Sequence, residues 1–461
     1  MVITNLNYNK KQMDNNNQRG FTSNLGAILA AAGGAVGLGN IWRYPYMLGQ
    51  NGGGAFLLVN MFFVLAIGIP LMMTEFVIGR RTQSNVVGAY RKLAPKQKGW
   101  TLLGYFSILA ALLIYAFYSV VAGWTLNYIV MASTNQLAGL TPMEVAETFE
   151  HFTTHSIWPV FFQLLFLGLT ALVISFGVQK GIEKISKILM PVLFILLLLM
   201  VVRSLTLPGA SEGLHFLFHP DLSKLTGDSI LGALGQSFFS LSLGMGAMVT
   251  YGSYIRKEDS LFKTSLWISV CDLLVAILAG VVIFPAVFSF GMDPASGPQL
   301  VYVVLPNVFN SMPMGGLFAA VFFILLGIAA LTSTISLQEI VVAFNVEELH
   351  WSRRKSSIIS MVVVFFVGVF CALSFGPLEH VKFFGRTFFD FFDLITASYM
   401  MPIGALVMTI FLGWFYPKVE VRDEITNGGM LKGKFFELYY FILRYVAPLA
   451  LLVIIISGIV G

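Results

Sequence analysis

The chain has 461 residues, of which 57% are hydrophobic and 11% are charged, and its formal net charge is +5. A soluble domain carries about 45–50% apolar and about 25% charged residues, so this composition excludes an ordinary soluble enzyme and a disordered or fibrous protein. It indicates a polytopic membrane protein, whose excess of positive charge belongs to loops beside the membrane and does not indicate a nucleic-acid partner. The two cysteines, Cys271 and Cys371, provide neither a disulfide framework nor a metal-binding spacing.

Eleven apolar segments, taken in chain order, are long enough to cross a bilayer, which takes roughly 20 helical residues. They are 24–47, 54–79, 100–132, 157–176, 185–204, 229–255, 264–290, 315–346, 357–374, 388–416 and 436–460. Residues 1–23 are polar, contain no apolar core of a signal peptide and are predicted to form a cytoplasmic tail. The pattern therefore predicts an all-α polytopic membrane protein with about 11 transmembrane helices.

The positions of lysine and arginine predict the orientation of the chain. The predicted outer segments contain only Arg203, Lys224, Lys382 and Arg386 of the 28 basic residues, and Arg43 and Arg444 lie within spans. The remaining basic residues fall on the side of the N-terminus. Because basic loops stay in the cytoplasm, we expect a protein of the cell (inner) membrane with its N-terminus in the cytoplasm. An odd number of spans then predicts an extracytoplasmic C-terminus.

Two predicted spans contain residues that an uninterrupted helix disfavours. Residues 33–40 include four glycines, each costing about 1 kcal/mol relative to alanine in a helix, and residues 240–246 combine serines with glycines. Irregular backbone at this depth is tolerated only where it is buried or lines a cavity. The breaks fall at matching positions of a five-plus-five arrangement, which predicts a binding site at the membrane midplane. Close packing of helices is the alternative explanation.

Several ionisable residues lie within or at the ends of apolar spans, where each costs several kcal/mol unless it is paired or hydrated. They are Arg43, Glu75, Asp272, Glu339, Asp390 and Asp393. Arg43 and Asp393 are both expected at the outer side, where they would form an ion pair above the cavity. The alternative is that the two side chains reach the interface separately.

Long sequence motifs resemble those of the bacterial neurotransmitter:sodium symporter family. The resemblance runs from about residue 20 to the end of the chain and includes GGAVGLGNIWRYPYMLGQNGGGAF (33–56), IGIPLMMTEFVIGRR (67–81), KGIEKISKILMPVLFIL (180–196), GQSFFSLSLGMGAMVTYGSYIRK (235–257), LTSTISLQEIVVAF (331–344) and NGGMLKG (427–433). It implies two inverted five-helix repeats with broken first and sixth helices, here residues 24–204 and 229–416. Residues 436–461 would form an additional C-terminal transmembrane helix.

The resemblance also implies two sodium sites built from hard oxygen ligands, which suit a small alkali cation. The first site would use the substrate carboxylate together with oxygens of Ala35, Asn40, Ser240 and Asp272. The second site would use carbonyl oxygens of Gly33, Val36 and Ala329 with the hydroxyls of Thr332 and Ser333.

The same resemblance implies an amino-acid pocket between these sites. The substrate carboxylate would meet the backbone amides of Leu38 and Gly39 and the hydroxyl of Tyr118, since free N–H groups at a helix end favour an anion. The full predicted set is Gly34, Ala35, Gly37, Leu38, Gly39, Ile114, Tyr118, Phe239, Ser240, Ser242, Met245, Ser333 and Leu337. Gly37 occupies a position where amine transporters carry an acid. The predicted substrate is therefore a neutral hydrophobic or aromatic amino acid.

Gates are expected on both sides of the pocket. Tyr118 and Phe239 would close over the substrate, below the Arg43–Asp393 pair. Tyr254 and Glu347 match inner-gate positions of the family. Arg19 is the natural partner of Glu347, but its register relative to the family pattern is displaced by one residue.

The spacing of Gly181 and Pro191 resembles a motif that lets the fifth helix unwind and admit water to the second sodium site. Proline removes one helix hydrogen bond and favours a break before it. A static kink is the alternative.

Asp272 would place a fixed negative charge at or beside the first sodium site, so an added anion would be redundant and we predict chloride-independent transport. The predicted function is sodium-coupled import of amino acids by alternating access. A proton-coupled carrier using Glu75, Asp272 or Glu339 remains an alternative, as does a sensor that binds an amino acid without moving it. An enzyme is not expected, because no Ser/His/Asp or HExxH arrangement lies at membrane depth. The residues do not predict an oligomeric state.

Overall fold

The structure, a computed structural model, describes residues 20–294 and 300–460. Nine continuous helices among them are long and apolar enough to cross a membrane: Gly54–Thr82, Lys98–Ser133, Trp158–Ser175, Val178–Leu205, Leu261–Ser289, Gly315–Glu348, Arg353–Phe375, Phe388–Phe415 and Phe436–Gly458. A bent pair, Asn24–Ala35 and Gly39–Gln50, forms a further span. The described residues contain no strand, only an isolated β-bridge between Phe383 and Arg386. The all-α prediction is confirmed.

The remaining predicted span, the sixth, consists of two helices that are each too short to cross alone. They are Gly227–Ser240 and Ala247–Gly252, separated by the non-helical residues 241–246. When this pair is counted with the bent pair, the described residues contain the eleven predicted spans, which we number span 1 to span 11 in chain order. Shorter helices between them are Val86–Leu93, Pro142–Thr154, Ala210–Phe218, Leu305–Asn310 and Lys418–Ile425.

Both predicted breaks are present. Span 1 bends by 48° at residues 36–38, where Val36 adopts an extended ψ of 100°. In span 6, Ser242, Gly244 and Gly246 have φ angles of 54°, 84° and 80°. These left-handed conformations cannot continue a right-handed helix, and they are costly for a residue with a side chain such as Ser242.

Three backbone amides at the span 6 break are bound by a side chain from span 2. Glu75 Oε1 accepts a hydrogen bond from the Gly244 amide at 2.7 Å, and its Oε2 accepts from the Met248 and Val249 amides at 3.1 and 3.2 Å. A carboxylate at the N-terminus of a helix is stabilised by the helix dipole. One buried acid that the sequence singled out therefore caps the second half of span 6.

The broken spans lie inside the bundle, and the C-terminal span lies at its edge. In the most apolar stretch of span 3, 78% of the residues are buried within the protein, whereas the value for span 11 is 22%. Residues at the breaks of spans 1 and 6, such as Val36, Leu38 and Leu241, are fully buried. The irregular backbone therefore faces protein and not lipid, as a membrane requires.

Candidate functional site

A small closed cavity lies between the breaks of spans 1 and 6, beside spans 3 and 8. Its volume, measured as the space that the centre of a water-sized sphere can occupy, is about 30 Å³. It is lined by Gly34, Ala35, Gly37, Gly39, Ile114, Tyr118, Phe239, Ser240, Ser242, Met245, Ser333, Leu337 and Met401. Every predicted pocket residue except Leu38 is in this lining. Met401 of span 10 was not predicted, because a methionine in an apolar span gives no local signal of a binding site.

Glycines bring the backbone of span 1 against neighbouring side chains. A Cβ atom on Gly37 would lie 2.6 Å from the hydroxyl oxygen of Tyr118, and a Cβ on Gly34 would lie 3.1 Å from Cβ of Ser336. The Leu38 amide donates a hydrogen bond to the same Tyr118 oxygen at 2.8 Å. The wall of the cavity at this break therefore consists of peptide groups.

Asn40, Ser240 and Asp272 form one buried hydrogen-bonded cluster. Asn40 Nδ2 donates to Asp272 Oδ1 at 2.7 Å and to Ser240 Oγ at 3.1 Å. Ser240 Oγ donates to the same Asp272 oxygen at 2.7 Å. The structure thus brings together three of the four residues predicted for the first sodium site, and the fourth, Ala35, lines the adjoining cavity.

The five residues predicted for the second sodium site also converge. Thr332 Oγ1 lies 3.5 Å from the Val36 carbonyl oxygen and 3.0 Å from that of Ala329. Ser333 Oγ lies 3.4 Å from the Gly33 carbonyl oxygen. The Thr332 hydroxyl bonds back to its own helix, as threonines in helices commonly do, while it also faces the break of span 1.

An ion pair between spans 1 and 10 lies next to Phe239, which lines the cavity. Arg43 Nη1 lies 3.2 Å from Asp393 Oδ1. The guanidinium carbon of Arg43 also lies 4.4 Å from the centre of the Phe239 ring, within the range of a cation–π contact. The geometry therefore matches the predicted pair and does not match two side chains that reach the interface separately.

A wider cavity of about 510 Å³ lies toward the opposite end of the bundle and is lined in part by Tyr254, Glu347 and Arg353. The Tyr254 hydroxyl donates to Glu339 Oε1 at 2.6 Å, and Arg353 forms an ion pair with the other oxygen of Glu339. Glu347 accepts hydrogen bonds from the backbone and side-chain nitrogens of Asn85 at 2.7 and 3.0 Å. The two predicted inner-gate residues line one cavity but have different hydrogen-bond partners.

Two further predictions concern the same end of the molecule. Arg19 lies outside the described residues. Gly181 lies in a wide helical turn, Val178–Glu183, and Pro191 lies inside the continuous helix Lys184–Leu205. Span 5 is unbroken in this conformation, and its unwinding stays a prediction.

A contact that the sequence does not predict joins the start of span 5 to the start of span 1. Glu183 accepts hydrogen bonds from the Thr22 amide at 2.8 Å, from the Thr22 hydroxyl at 2.6 Å and from Lys187 Nζ at 2.7 Å. Its side chain passes so close to Gly26 that a Cβ there would lie 2.6 Å from Glu183 Cδ. No local pattern predicts this contact, because its partners are about 160 residues apart along the chain.

Two interrupted spans that meet at a closed cavity, with clustered oxygen atoms and an ion pair on one side, define a membrane transporter of the broken-helix type. The chain matches the model of the sodium:neurotransmitter symporter family over residues 18–143 and 143–461. It belongs to this family and is therefore an integral membrane protein of a sodium-coupled transporter class. A transporter family is not an enzyme class.

Two relatives are similar to this chain over almost their whole length. The sodium-dependent transporter YhdH from Bacillus subtilis is 43% identical over 437 residues, which cover 95% of this chain and 97% of the relative. A sodium-dependent transporter from Haemophilus influenzae is 38% identical over 455 residues, with coverages of 96% and 99%. Both bear out the resemblance that the sequence motifs indicated.

A solved structure gives the same result for the fold. The crystal structure of MhsT in complex with L-phenylalanine has a TM-score of 0.89 with this structure. The two chains are 43% identical in sequence, and the match covers 95% of this chain and 99% of the MhsT chain. The predicted fold class, with its broken spans and inverted repeats, is thereby confirmed. The boundaries 24–204 and 229–416 stay predictions.

Proposed function

We propose that this protein imports neutral hydrophobic or aromatic amino acids together with two sodium ions, without a requirement for chloride. The observation that carries the proposal is the cluster of Asn40, Ser240 and Asp272 at the wall of the central cavity. The crystal structure of MhsT with bound L-phenylalanine, which is 43% identical over its length, supports an amino acid as the transported molecule.

The first sodium ion would bind among Ala35, Asn40, Ser240 and Asp272 and would be completed by the carboxylate of the substrate. This shared carboxylate couples the two ligands, so each raises the affinity of the protein for the other. The second ion would bind among Gly33, Val36, Ala329, Thr332 and Ser333. Their oxygens come from the break of span 1 and from span 8, so this ion would hold the two spans together.

The pocket composition supports the proposed substrate class. The main-chain carboxylate would bind the amides of Leu38 and Gly39 and the hydroxyl of Tyr118. The side chain would lie among Ile114, Met245 and Leu337, with Met401 added to the predicted set. Methionine is flexible, so two methionines in the wall allow the small cavity to widen for side chains of different shape.

Asp272 supports chloride independence. Its carboxylate faces Asn40 and Ser240, so the proposed first sodium site already contains a fixed negative charge. The three buried carboxylates named for a proton-coupled carrier all have defined partners. Glu75 caps span 6, Glu339 pairs with Arg353, and Asp272 belongs to the cluster.

Transport would proceed by alternating access between the two ends of the pocket. Sodium and substrate would enter from the side of Arg43 and Asp393, which the distribution of basic loops predicts to face the outside of the cell. They would leave through the cavity lined by Tyr254 and Glu347, next to a cytoplasmic N-terminus. One elementary charge moved across 100 mV provides about 2.3 kcal/mol, so two ions can drive strong accumulation.

Uptake of radiolabelled L-phenylalanine into proteoliposomes tests the proposal. With an inward sodium gradient in gluconate buffer, we expect accumulation that a sodium ionophore abolishes. Leucine, tyrosine and tryptophan should compete at low concentration, and aspartate, glutamate and lysine should not. Asn40→Ala should remove the sodium-driven uptake, while Asn127→Ala, a change in span 3 away from the cavity lining, serves as the control.

Three outcomes would contradict the proposal in different ways. Uptake driven by a pH gradient without sodium would establish the proton-coupled alternative. Binding of phenylalanine without uptake would establish a sensor. Competition by glutamate or lysine stronger than that by leucine and tyrosine would overturn the substrate class while leaving the sodium coupling intact.

A further inference from the structure

An apolar groove opens between the start of span 3 and the second half of span 10, away from the cavities described above. It has a volume of about 510 Å³, and its walls include Leu103, Phe106, Ile403 and Val407. Leu102, at its edge, is 68% exposed. An apolar side chain this exposed on a membrane span faces hydrocarbon, so the groove opens toward the lipid.

Two lysines lie beside the mouth of this groove. Lys96 and Lys98 flank Gln97, which lines the groove, and both lysines are exposed. Neither forms an ion pair within the described part of the chain. By contrast, Arg91 pairs with Glu348 at 2.6 Å and Lys92 donates to the Thr82 carbonyl at 3.0 Å. Residues 82–100 contain no aspartate or glutamate, so the mouth of the groove has a local positive charge.

Trp100 fixes the depth of the groove mouth relative to the membrane. Its ring packs against Phe411 and Phe415 with ring centres 4.9 and 5.0 Å apart. Its ring nitrogen donates to Gln97 Oε1 at 2.9 Å. Tryptophan with an apolar face and a polar contact is typical of the headgroup level of a bilayer. The lysines therefore lie at the headgroups, and the leucine and phenylalanine walls lie beside the acyl chains.

We propose that this groove is a binding site for an anionic phospholipid, whose acyl chain lies between spans 3 and 10 and whose phosphate contacts Lys96 and Lys98. Charge complementarity selects the ligand, because a zwitterionic lipid offers the same chain but presents its own cation to the lysines. Each lysine near an anionic lipid surface strengthens binding by about fivefold. The groove supplies the chain contacts, and the lysines supply the selectivity.

Gly99 allows the groove to be filled without disturbing the fold. A Cβ atom built on Gly99 meets no other atom within 4 Å, and the residue lines the groove. A leucine at this position would therefore extend into open space. The double change K96Q/K98Q removes the charge and leaves the groove, so the two contributions are separable.

Native mass spectrometry of the full-length protein in detergent tests the site, with phosphatidylglycerol and phosphatidylcholine of identical chains as the two lipids. For the unmodified protein we expect tighter binding of phosphatidylglycerol by at least about tenfold. K96Q/K98Q should bind both lipids equally weakly, and added salt should reduce the phosphatidylglycerol preference of the unmodified protein. Gly99→Leu should lower binding of both lipids.

Lys263→Gln is the matched control, because Lys263 is also exposed at the end of a span but lies away from the groove. Phenylalanine binding by each variant verifies that it is folded. Equal binding of the two lipids by the unmodified protein would overturn the proposal. A loss of selectivity in Lys263→Gln as large as that in K96Q/K98Q would also overturn it, because the effect would then reflect overall charge.

Discussion

Asp272 is a buried carboxylate whose hydrogen-bond partners are neutral. Asn40 and Ser240 both donate to one of its oxygens, and the side chain is 1% exposed. Within the described residues it forms no ion pair. A buried charge without a partner of opposite sign is costly, so a bound cation would stabilise this cluster. The sequence alone is compatible with Asp272 as a ligand or as a nearby charge, and from its position in the cluster we expect a direct ligand.

Asp272→Asn keeps the shape of the side chain and removes its charge. We expect the sodium concentration for half-maximal uptake to rise by at least about tenfold. This factor corresponds to the loss of about 1.4 kcal/mol of interaction between the carboxylate and the ion. Chloride should partly restore uptake by this variant. Sodium titrations of phenylalanine uptake in chloride and in gluconate buffers provide the measurement.

Asp390→Asn, which changes an exposed carboxylate of span 10, should behave like the unmodified protein. A collapse of uptake by the unmodified protein in gluconate would refute the role assigned to Asp272.

The other site residues could be predicted from the sequence where glycines and hydroxyl side chains interrupt an apolar pattern. Met401 and the pairing of Glu339 with Arg353 follow only from the packing of separate spans.

The sequence motifs did not predict the hydrogen bonds that join the start of span 5 to the start of span 1. Glu183 accepts hydrogen bonds from the amide and the hydroxyl of Thr22, at the N-terminus of span 1, and from Lys187 Nζ. The predicted breaks, by contrast, could be located because four glycines at 33–40 and the serine–glycine run at 240–246 are visible locally. Breaks are local properties of the chain, and contacts between helix ends are not.

Glu183→Gln should loosen the first half of span 1. Hydrogen bonds to a charged group contribute about 1.5–3 kcal/mol each, and the amide retains only weaker ones. We expect a lower melting temperature and faster hydrogen–deuterium exchange in residues 20–35. Lys187→Gln removes the cation but leaves the Thr22 contacts, so its effect on exchange should be small. Equal effects of the two variants would mean that the ion pair, and not the tie to span 1, stabilises this end.

At the scale of the whole molecule, the two ends of the bundle differ. One end contains the ion pair of Arg43 and Asp393, and the other contains the 510 Å³ cavity beside Tyr254 and Glu347. The distribution of basic residues predicts which end faces the cytoplasm, and hydropathy predicts the number of spans. Neither property specifies which end contains the wider cavity, because that depends on a small free-energy difference between packings of the same helices.

The predicted orientation can be measured with single cysteines in a background that lacks Cys271 and Cys371. Glu147 and Lys432 are both exposed and lie on opposite sides in the predicted topology. A membrane-impermeant maleimide added to intact cells should label Glu147→Cys and spare Lys432→Cys until the cells are opened. The reverse pattern would invert the topology and the proposed direction of transport.

The guanidinium of Arg43 joins three helical elements through one group of atoms. It belongs to span 1, pairs with Asp393 of span 10 and lies over the ring of Phe239 in span 6. Movement of span 6 or span 10 alone would break one of these contacts and keep the other, whereas movement of span 1 would break both. If Arg43 and Asp393 act as the proposed outer gate, displacement of Arg43 would therefore release spans 6 and 10 together. We expect such a joint release to limit the passage of ions without cargo, so that Arg43 would contribute to the efficiency of energy conversion.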